Sequence, residues 1–179
     1  DLGAVDGGHG HIDDQHVGNV FLSGRSTLGV PATAAVVARL RAEVTTKSTD
    51  DVPLFVATDQ EGGEVQVLHG PGFDAMPSGV GQSQLSPEAL EVASARWGAQ
   101  LRASGVNMDL APVVDLVGTQ AAAESNPPIG GFDRELGFSP SAVLAHVDAF
   151  RDGMSQSGVQ TVLKHFPGLG SALANTDFA

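Results

Sequence analysis

Two stretches of this chain repeat the same order of helix and strand, and the repetition limits the folds that it can adopt. They cover residues 86–114 and 139–164. Each begins with Ser-Pro, which suits a helix N-cap followed by proline in the first turn, and Gly105 or Gly158 ends the helix. An apolar strand follows each helix. Alternating helices and strands are typical of parallel sheets with right-handed crossovers, so the sequence predicts an α/β fold.

The segments that we interpret as strands all end in polar or glycine-rich residues. In α/β folds, ligands bind at the carboxyl ends of the strands. We therefore expect these polar residues to line one common mouth. A weaker helical pattern over residues 31–44 precedes the second strand. The four predicted strands cover residues 19–23, 53–58, 106–114 and 159–164.

Composition narrows the class of partner. The chain has 179 residues, enough for one domain with a sizeable core, and a formal net charge of −12. Such acidity disfavours nucleic acid as a partner, because the phosphate backbone would be repelled. Cysteine is absent, which excludes disulfides and thiolate metal sites. No apolar run approaches the roughly 20 residues that span a bilayer.

Histidines and aspartates cluster near the start of the sequence, in DGGHGHIDDQH. Both residue types are metal ligands. However, the spacing of His9, His11 and His16 fits no familiar metal motif, and the segment is rich in glycine. The sequence therefore favours a solvated N-terminal segment, and we predict no metal site.

A long connection follows the third predicted strand, over residues 116–138. Loops longer than about 12–15 residues are usually either functional or disordered. This one combines glycines, prolines and an asparagine with a single arginine, Arg134. That composition predicts an ordered loop at the active site.

Four motifs occur in series along the chain: ATDQEGGEVQVL, GVNMDLAPVVDL, NPPIGGFDRELGFSP and KHFPGLG. Together they resemble the N-terminal barrel domain of family 3 glycoside hydrolases, and most closely the bacterial β-N-acetylhexosaminidase branch. The resemblance implies a (β/α)8 TIM-type barrel, of which residues 1–179 would supply the N-terminal four to five βα units as part of one domain. It also implies hydrolysis without a cofactor, and a small carbohydrate as the substrate.

The resemblance implies sugar contacts for side chains at the strand ends. Asp59 matches a sugar-binding aspartate, whose carboxylate suits hydroxyl donors; a helix N-cap or a turn is the alternative. Lys164 and His165 match a Lys-His pair, and their hydrogen-bonding groups suit a hydroxyl-rich ligand. A lone histidine is more often a satisfied core residue, but the position of His165 at a strand end favours ligand contact.

Three further side chains near the predicted mouth have less definite roles. Arg134 matches a sugar-contacting arginine, because its planar guanidinium can reach two acceptors at once. A surface ion pair with Asp133 or Glu135 is the alternative. Glu61 is interpreted as structural. Asp115 ends the third predicted strand, where shaping the mouth is as good an interpretation as contacting the ligand.

Catalysis by a retaining glycosidase needs a carboxylate nucleophile and a group that acts first as an acid and then as a base. The resemblance places the nucleophile aspartate beyond residue 179, so we expect the 179 residues alone to be inactive. Where the family pairs an aspartate with a histidine on a loop, this chain has Asn175 and Asp177. Asp177 is therefore the candidate acid/base, and it would have to be protonated near neutrality to donate a proton.

The sequence thus predicts removal of a terminal β-linked N-acetylglucosamine, or a related β-sugar, by a retaining two-step mechanism. The resemblance suggests a cell-wall muropeptide or a chitin-derived sugar as the substrate. The alternative is a non-catalytic sugar-binding or scaffold protein, which the altered loop permits. Because half a barrel leaves open sheet edges, we also expect association with a second copy or with the remainder of a barrel.

Overall fold

Parallel strands and helices alternate along the chain, as the repeated unit predicts. The computed structural model of the protein describes residues 17–176. The strands are β1 (Asn19–Leu22), β2 (Phe55–Thr58), β3 (Gln60–Gly62), β4 (Val65–Gln66), β5 (Met108–Asp109) and β6 (Gln160–Thr161). The helices are α1 (Gly29–Ala42), α2 (Thr46–Thr49), α3 (Gly79–Gln82), α4 (Pro87–Ala103), α5 (Gln120–Ala123) and α6 (Pro140–Gln156), with a 3₁₀ turn at Gly130–Phe132.

The four predicted strands form one parallel sheet in the order β1-β2-β5-β6. This confirms the α/β fold with a parallel sheet. β5 is shorter than the predicted strand at residues 106–114, and Pro112, which has no N–H to donate, lies within that segment. Pairing resumes beyond Pro112, where Val113 bridges Lys164. The carboxyl ends of the strands therefore lie side by side.

The helices α4 and α6 begin as the Ser-Pro pairs predict. The Ser86 hydroxyl accepts a hydrogen bond from the Ala89 N–H, and the Ser139 hydroxyl accepts one from the Ala142 N–H. Each cap satisfies a backbone donor that the first turn would otherwise leave unpaired. Within residues 17–176, no helix has the length and apolar character needed to cross a bilayer.

The main core lies between the sheet and the helices. Leu22 and Val56 of the sheet are buried in the same cluster as Trp97 of α4 and Phe150 of α6, whose ring centroids are 6.5 Å apart. On the opposite face of the sheet, Phe21 is 47% exposed and Phe55 is 43% exposed. The sheet is thus covered by helices on one face, and large apolar side chains remain accessible on the other.

A two-stranded antiparallel hairpin, β3 and β4, follows β2 directly. The sequence analysis did not predict it, because glycines interrupt the alternation in DQEGGEVQ. Gly62 and Gly63 both have positive φ, of 104° and 57°, a conformation that favours glycine. The hairpin buries Glu61 beside the ends of the parallel strands, where the side chain can reach residues distant in sequence.

Candidate functional site

A cavity of about 480 Å³ lies at the carboxyl ends of the parallel strands. Its size falls within the range of small-molecule sites. The loop after β6 contributes Leu169, Asn175 and Thr176 to its lining. The other lining side chains include the charged or ionisable residues Arg25, Asp59, Glu61, Glu64, Arg134, Lys164 and His165. The cavity is therefore rich in donors and acceptors, which suits a polar ligand.

Lys164 joins two carboxylates at the base of this cavity. Its Nζ lies 2.6 Å from Asp59 Oδ1 and 2.5 Å from Glu61 Oε1. The backbone fixes its position, because the Val114 N–H donates to the Lys164 carbonyl at 2.7 Å. Two of the three ammonium N–H groups are thus directed at protein carboxylates, which leaves the third for a ligand.

Arg134 is bound through its planar fork to Glu61. Nε donates to Glu61 Oε2 at 2.8 Å and Nη2 donates to Oε1 at 2.7 Å, while Nη1 donates to the Pro128 carbonyl at 2.8 Å. The alternative ion pair with Asp133 or Glu135 is not the arrangement found. The guanidinium edge that could grip two sugar oxygens already grips a carboxylate, so Arg134 has few donors left for a ligand.

Burial and ion pairing have opposite effects on the pKa of Arg134. Burial alone would lower its pKa, but the hydrogen bonds and charge of Glu61 outweigh this cost. With smaller contributions from Asp115 and Asp59, they raise the pKa of Arg134 above its ordinary value. The guanidinium is therefore a fixed cation, and Glu61 has a definite structural role as the acceptor for both Arg134 and Lys164.

His165 is held by Asp115. The histidine Nδ1 lies 2.5 Å from Asp115 Oδ2, and the His165 backbone N–H donates to the same oxygen at 3.1 Å. Asp115 Oδ1 accepts the Leu169 N–H at 2.5 Å. The Asp115 side chain is fully buried, whereas that of His165 is 25% exposed. Asp115 therefore positions a residue that lines the cavity and does not line it itself.

Two buried acids near the site were missed by the sequence analysis. Asp109 Oδ1 accepts the Gln60 N–H at 3.0 Å, and Oδ2 has no hydrogen-bond partner among the described residues. Both oxygens of Glu135 are likewise buried without a partner in that part of the chain, and burial raises its pKa. Neither acid could be recognised as buried from the sequence, because each lies in a segment that resembles an ordinary strand or loop and its burial depends on how the fold packs.

The environment of Asp109 opposes ionisation. Burial raises its pKa well above the usual range, and the charges of Glu61 and Asp59 act in the same direction. The hydrogen bond from Gln60 and the charge of Lys164 oppose the shift without cancelling it. An ionised Asp109 therefore destabilises the fold.

Replacing Asp109 by asparagine is expected to stabilise the protein at neutral pH. Because folding raises the pKa of Asp109, wild-type stability should fall as the pH rises from the unfolded value, about 3.9, through the folded value. Asparagine keeps an acceptor for the Gln60 N–H but carries no charge. The free energy of unfolding of the variant should therefore not decrease in this way as the pH rises. Each pKa unit of the shift corresponds to about 1.4 kcal/mol. Urea denaturation between about pH 4 and pH 7 measures the difference.

Asp148→Asn is the matched control, because Asp148 is an exposed residue of α6 whose side chain is 58% accessible. This variant should change stability by less than about 0.5 kcal/mol. If Asp109→Asn were less stable than the wild type at neutral pH, the cost assigned to the buried charge would be wrong.

The structure brings four of the five predicted site residues together. Asp59, Arg134, Lys164 and His165 all line the cavity. The fifth, Asp177, lies outside the described residues, as do His9, His11 and His16 of the N-terminal cluster. Within residues 17–176, no group of three or more histidine and acidic side chains is placed to hold a metal ion.

The fold and the cavity define an α/β protein with a charged, hydrogen-bonding site at the carboxyl ends of its parallel strands. Residues 8–178 match the glycosyl hydrolase family 3 N-terminal domain. The chain belongs to this family. It is 43% identical over 131 residues to a β-hexosaminidase of Xylella fastidiosa (strain M23), and this match covers 69% of this chain and 36% of the relative.

Two further relatives cover more of the chain. The β-hexosaminidase LpqI of Mycobacterium tuberculosis is 32% identical over 163 residues, which are 89% of this chain and 38% of LpqI. The crystal structure of a β-N-acetylhexosaminidase from Beutenbergia cavernae DSM 12333 is 56% identical, with a TM-score of 0.92 over 94% of this chain and 50% of that one. The chain thus spans between about a third and a half of the length of these relatives.

Proposed function

We propose that this chain supplies the sugar-binding part of a β-N-acetylhexosaminidase-like glycosidase that removes terminal β-linked N-acetylglucosamine or a related β-sugar. The observation that carries the proposal is the cavity in which Asp59, Lys164 and His165 meet. Their free acceptors and donors complement the paired hydroxyl groups of a sugar. The names of the relatives support the proposed class of bond, and a cell-wall or chitin-derived sugar is the substrate class proposed by analogy.

The proposed architecture is a (β/α)8 barrel in which the described sheet forms the first half. Support comes from the open sheet, whose face opposite the helices carries the partly exposed Phe21 and Phe55. In a closed barrel this face is filled by side chains from the other strands. We therefore propose that the face is covered by further strands of a barrel, and that the 179 residues alone associate or remain inactive.

The proposed chemistry is a retaining two-step hydrolysis. A nucleophile aspartate would come from a strand that follows residue 179 in the complete barrel, and Asp177 would protonate the leaving oxygen. Asn175 and Thr176 line the cavity, so the loop that continues to Asp177 already reaches the site. The same loop favours a second candidate function, a non-catalytic sugar-binding protein, because it carries Asn175 and Asp177 in place of the family's aspartate and histidine.

Fusing this chain to the uncovered half of the Beutenbergia cavernae protein, whose other half it matches at 56% identity, is expected to give an active chimera. The high similarity should allow the two halves to pack as one barrel. Release of the aryl group from an aryl β-N-acetylglucosaminide is the measurement, with the intact Beutenbergia cavernae protein as the positive control.

The outcomes of this experiment separate the candidate functions. Hydrolysis of the N-acetylglucosaminide in preference to an aryl β-glucoside supports the proposed substrate, and the opposite preference contradicts it. A folded chimera that binds N-acetylglucosamine without hydrolysing the aryl glycoside supports the non-catalytic alternative. A folded chimera that does neither contradicts both.

A further inference from the structure

The protonation pattern of His165 is fixed from both sides of its ring. On one side, Asp115 accepts three N–H groups: His165 N and Nδ1 at Oδ2, and Leu169 N at Oδ1. A carboxylate offers only acceptors. The Nδ1 atom, 2.5 Å from Oδ2, must therefore carry a hydrogen.

The other ring nitrogen faces a group that can only donate. His165 Nε2 lies 3.3 Å from Arg134 Nη2, and every guanidinium nitrogen bears hydrogens and no free acceptor. Arg134 cannot turn away, since Glu61 and Pro128 hold its other nitrogens. The contact is a hydrogen bond only if Nε2 presents its lone pair. An imidazolium at this position would direct its Nε2–H at an N–H group of Arg134 and would place two positive charges next to each other.

We propose that Asp115 is a positioning residue that locks His165 as the neutral Nδ1–H tautomer, so that the Nε2 lone pair faces the cavity, where a ligand hydroxyl would replace the 3.3 Å contact with Arg134 Nη2. His165 Nε2 then accepts a hydrogen bond from one ligand hydroxyl, while Lys164 Nζ donates a hydrogen bond to another. This statement about the ligand rests on the proposed sugar-binding function, but the tautomer itself does not. This fixed tautomer, which we call the lock, gives His165 a binding role. It also excludes His165 as a proton donor in catalysis, because the Nε2 atom that faces the cavity carries no hydrogen.

Asn126 provides an internal control for this proposal. Its Nδ2 donates to the Leu169 and Ala172 carbonyls at 2.9 and 3.0 Å, and its Oδ1 accepts from Ile129 and Gly130. It therefore fixes the same loop that Asp115 fixes through Leu169. It makes no hydrogen bond to His165 among the described residues. Loosening the loop and releasing the histidine can thus be separated.

Long-range ¹H–¹⁵N correlation spectra of the ¹⁵N-labelled 179-residue chain at neutral pH test the tautomer, with His165→Gln to assign the signal. The wild type should show one tautomer, with a protonated Nδ1 and an unprotonated Nε2. In Asp115→Ala, the two nitrogen shifts should move towards each other, because the tautomers then exchange. In Asn126→Ala, they should stay as in the wild type.

Several outcomes would overturn the proposal. A wild-type His165 with a protonated Nε2, whether neutral or imidazolium, contradicts the lock, and this result needs no variant to fold. An unchanged Nδ1–H tautomer in a folded Asp115→Ala variant contradicts the role of Asp115.

Titration of the chimera with the Beutenbergia cavernae half, in which His165 is observed in the same way, with N-acetylglucosamine then tests the ligand separately. We expect the wild-type Nε2 shift to respond to the sugar and Asp115→Ala to bind it about 5- to 10-fold more weakly, the loss of one hydrogen bond. A wild-type Nε2 that does not respond while the sugar binds elsewhere in the cavity contradicts its role as the acceptor. If the tautomer is as proposed and the chimera binds no sugar, the tautomer assignment stands and the proposed function is wrong.

Discussion

Replacing Glu61 by alanine is expected to lower the free energy of unfolding by about 3–5 kcal/mol, the usual cost of removing one partner from a buried ion pair. The Glu61 side chain is 7% exposed and accepts from Arg134 and Lys164, which are themselves only 14% and 16% exposed. Alanine would leave two cations close together without the carboxylate between them. Urea denaturation at constant pH measures the loss.

Glu64→Ala is the matched control for this substitution. Glu64 belongs to the same hairpin segment and also lines the cavity, but it is exposed, and its side chain is in none of the ion pairs of the site. Its removal should change stability by less than about 0.5 kcal/mol. Equal losses in the two variants would mean that the hairpin is sensitive to any truncation, and that the ion pairs have no special share in stability.

Local signals were enough to predict the main elements of the fold. The Ser86 and Ser139 caps act within a few residues of the helices that they begin, so the sequence contains everything needed to recognise them. The same holds for apolar runs bounded by polar residues, which give the four parallel strands. Once the strands are parallel, their carboxyl ends meet, and the gathering of Asp59, Lys164 and His165 in one cavity follows from topology.

The partners of each charged side chain could not be predicted, because they depend on contacts across the fold. Glu61 and Arg134 are 73 residues apart in sequence. They meet only because the hairpin directs Glu61 inward and the long loop over residues 116–138 returns Arg134 to the same place. The sequence therefore left Arg134 as a sugar contact or a surface pair, whereas its fork is bound to a buried carboxylate. Asp109 escaped notice for the same reason, since its burial is a property of the packed sheet.

The charge network is compatible with the neutral sugar that we propose as the ligand of this pocket, although the pocket contains many ions. Glu61 balances Arg134 and shares Lys164 with Asp59, so most of the charge is compensated within the protein. A ligand that brings its own charge would have to displace one of these pairs. A hydroxyl group only needs the remaining lone pairs and the remaining N–H group. The arrangement therefore favours hydroxyl-rich over ionic ligands at the base of the cavity.

In the chimera with the Beutenbergia cavernae half, Lys164→Met is expected to lower kcat/KM for an aryl β-N-acetylglucosaminide by about 10- to 100-fold. This range corresponds to the loss of one hydrogen bond from a charged donor, about 1.5–3 kcal/mol. Methionine fills similar space but offers no donor to the sugar. It also leaves Asp59 and Glu61 without the cation that lies 2.6 and 2.5 Å from them, so the two carboxylates would repel each other.

The chain's other lysine, Lys47, is the control, because it is exposed on α2 and does not line the cavity. Lys47→Met changes the net charge by the same amount and should leave kcat/KM within about twofold. If Lys164→Met lowered only thermal stability, and the folded variant hydrolysed the substrate at the wild-type rate, Lys164 would be a structural counter-ion alone. A loss of kcat/KM in the folded variant, with Lys47→Met unaffected, shows that Lys164 acts in the site, either by donating its third N–H to the substrate or by holding Asp59 and Glu61 in place.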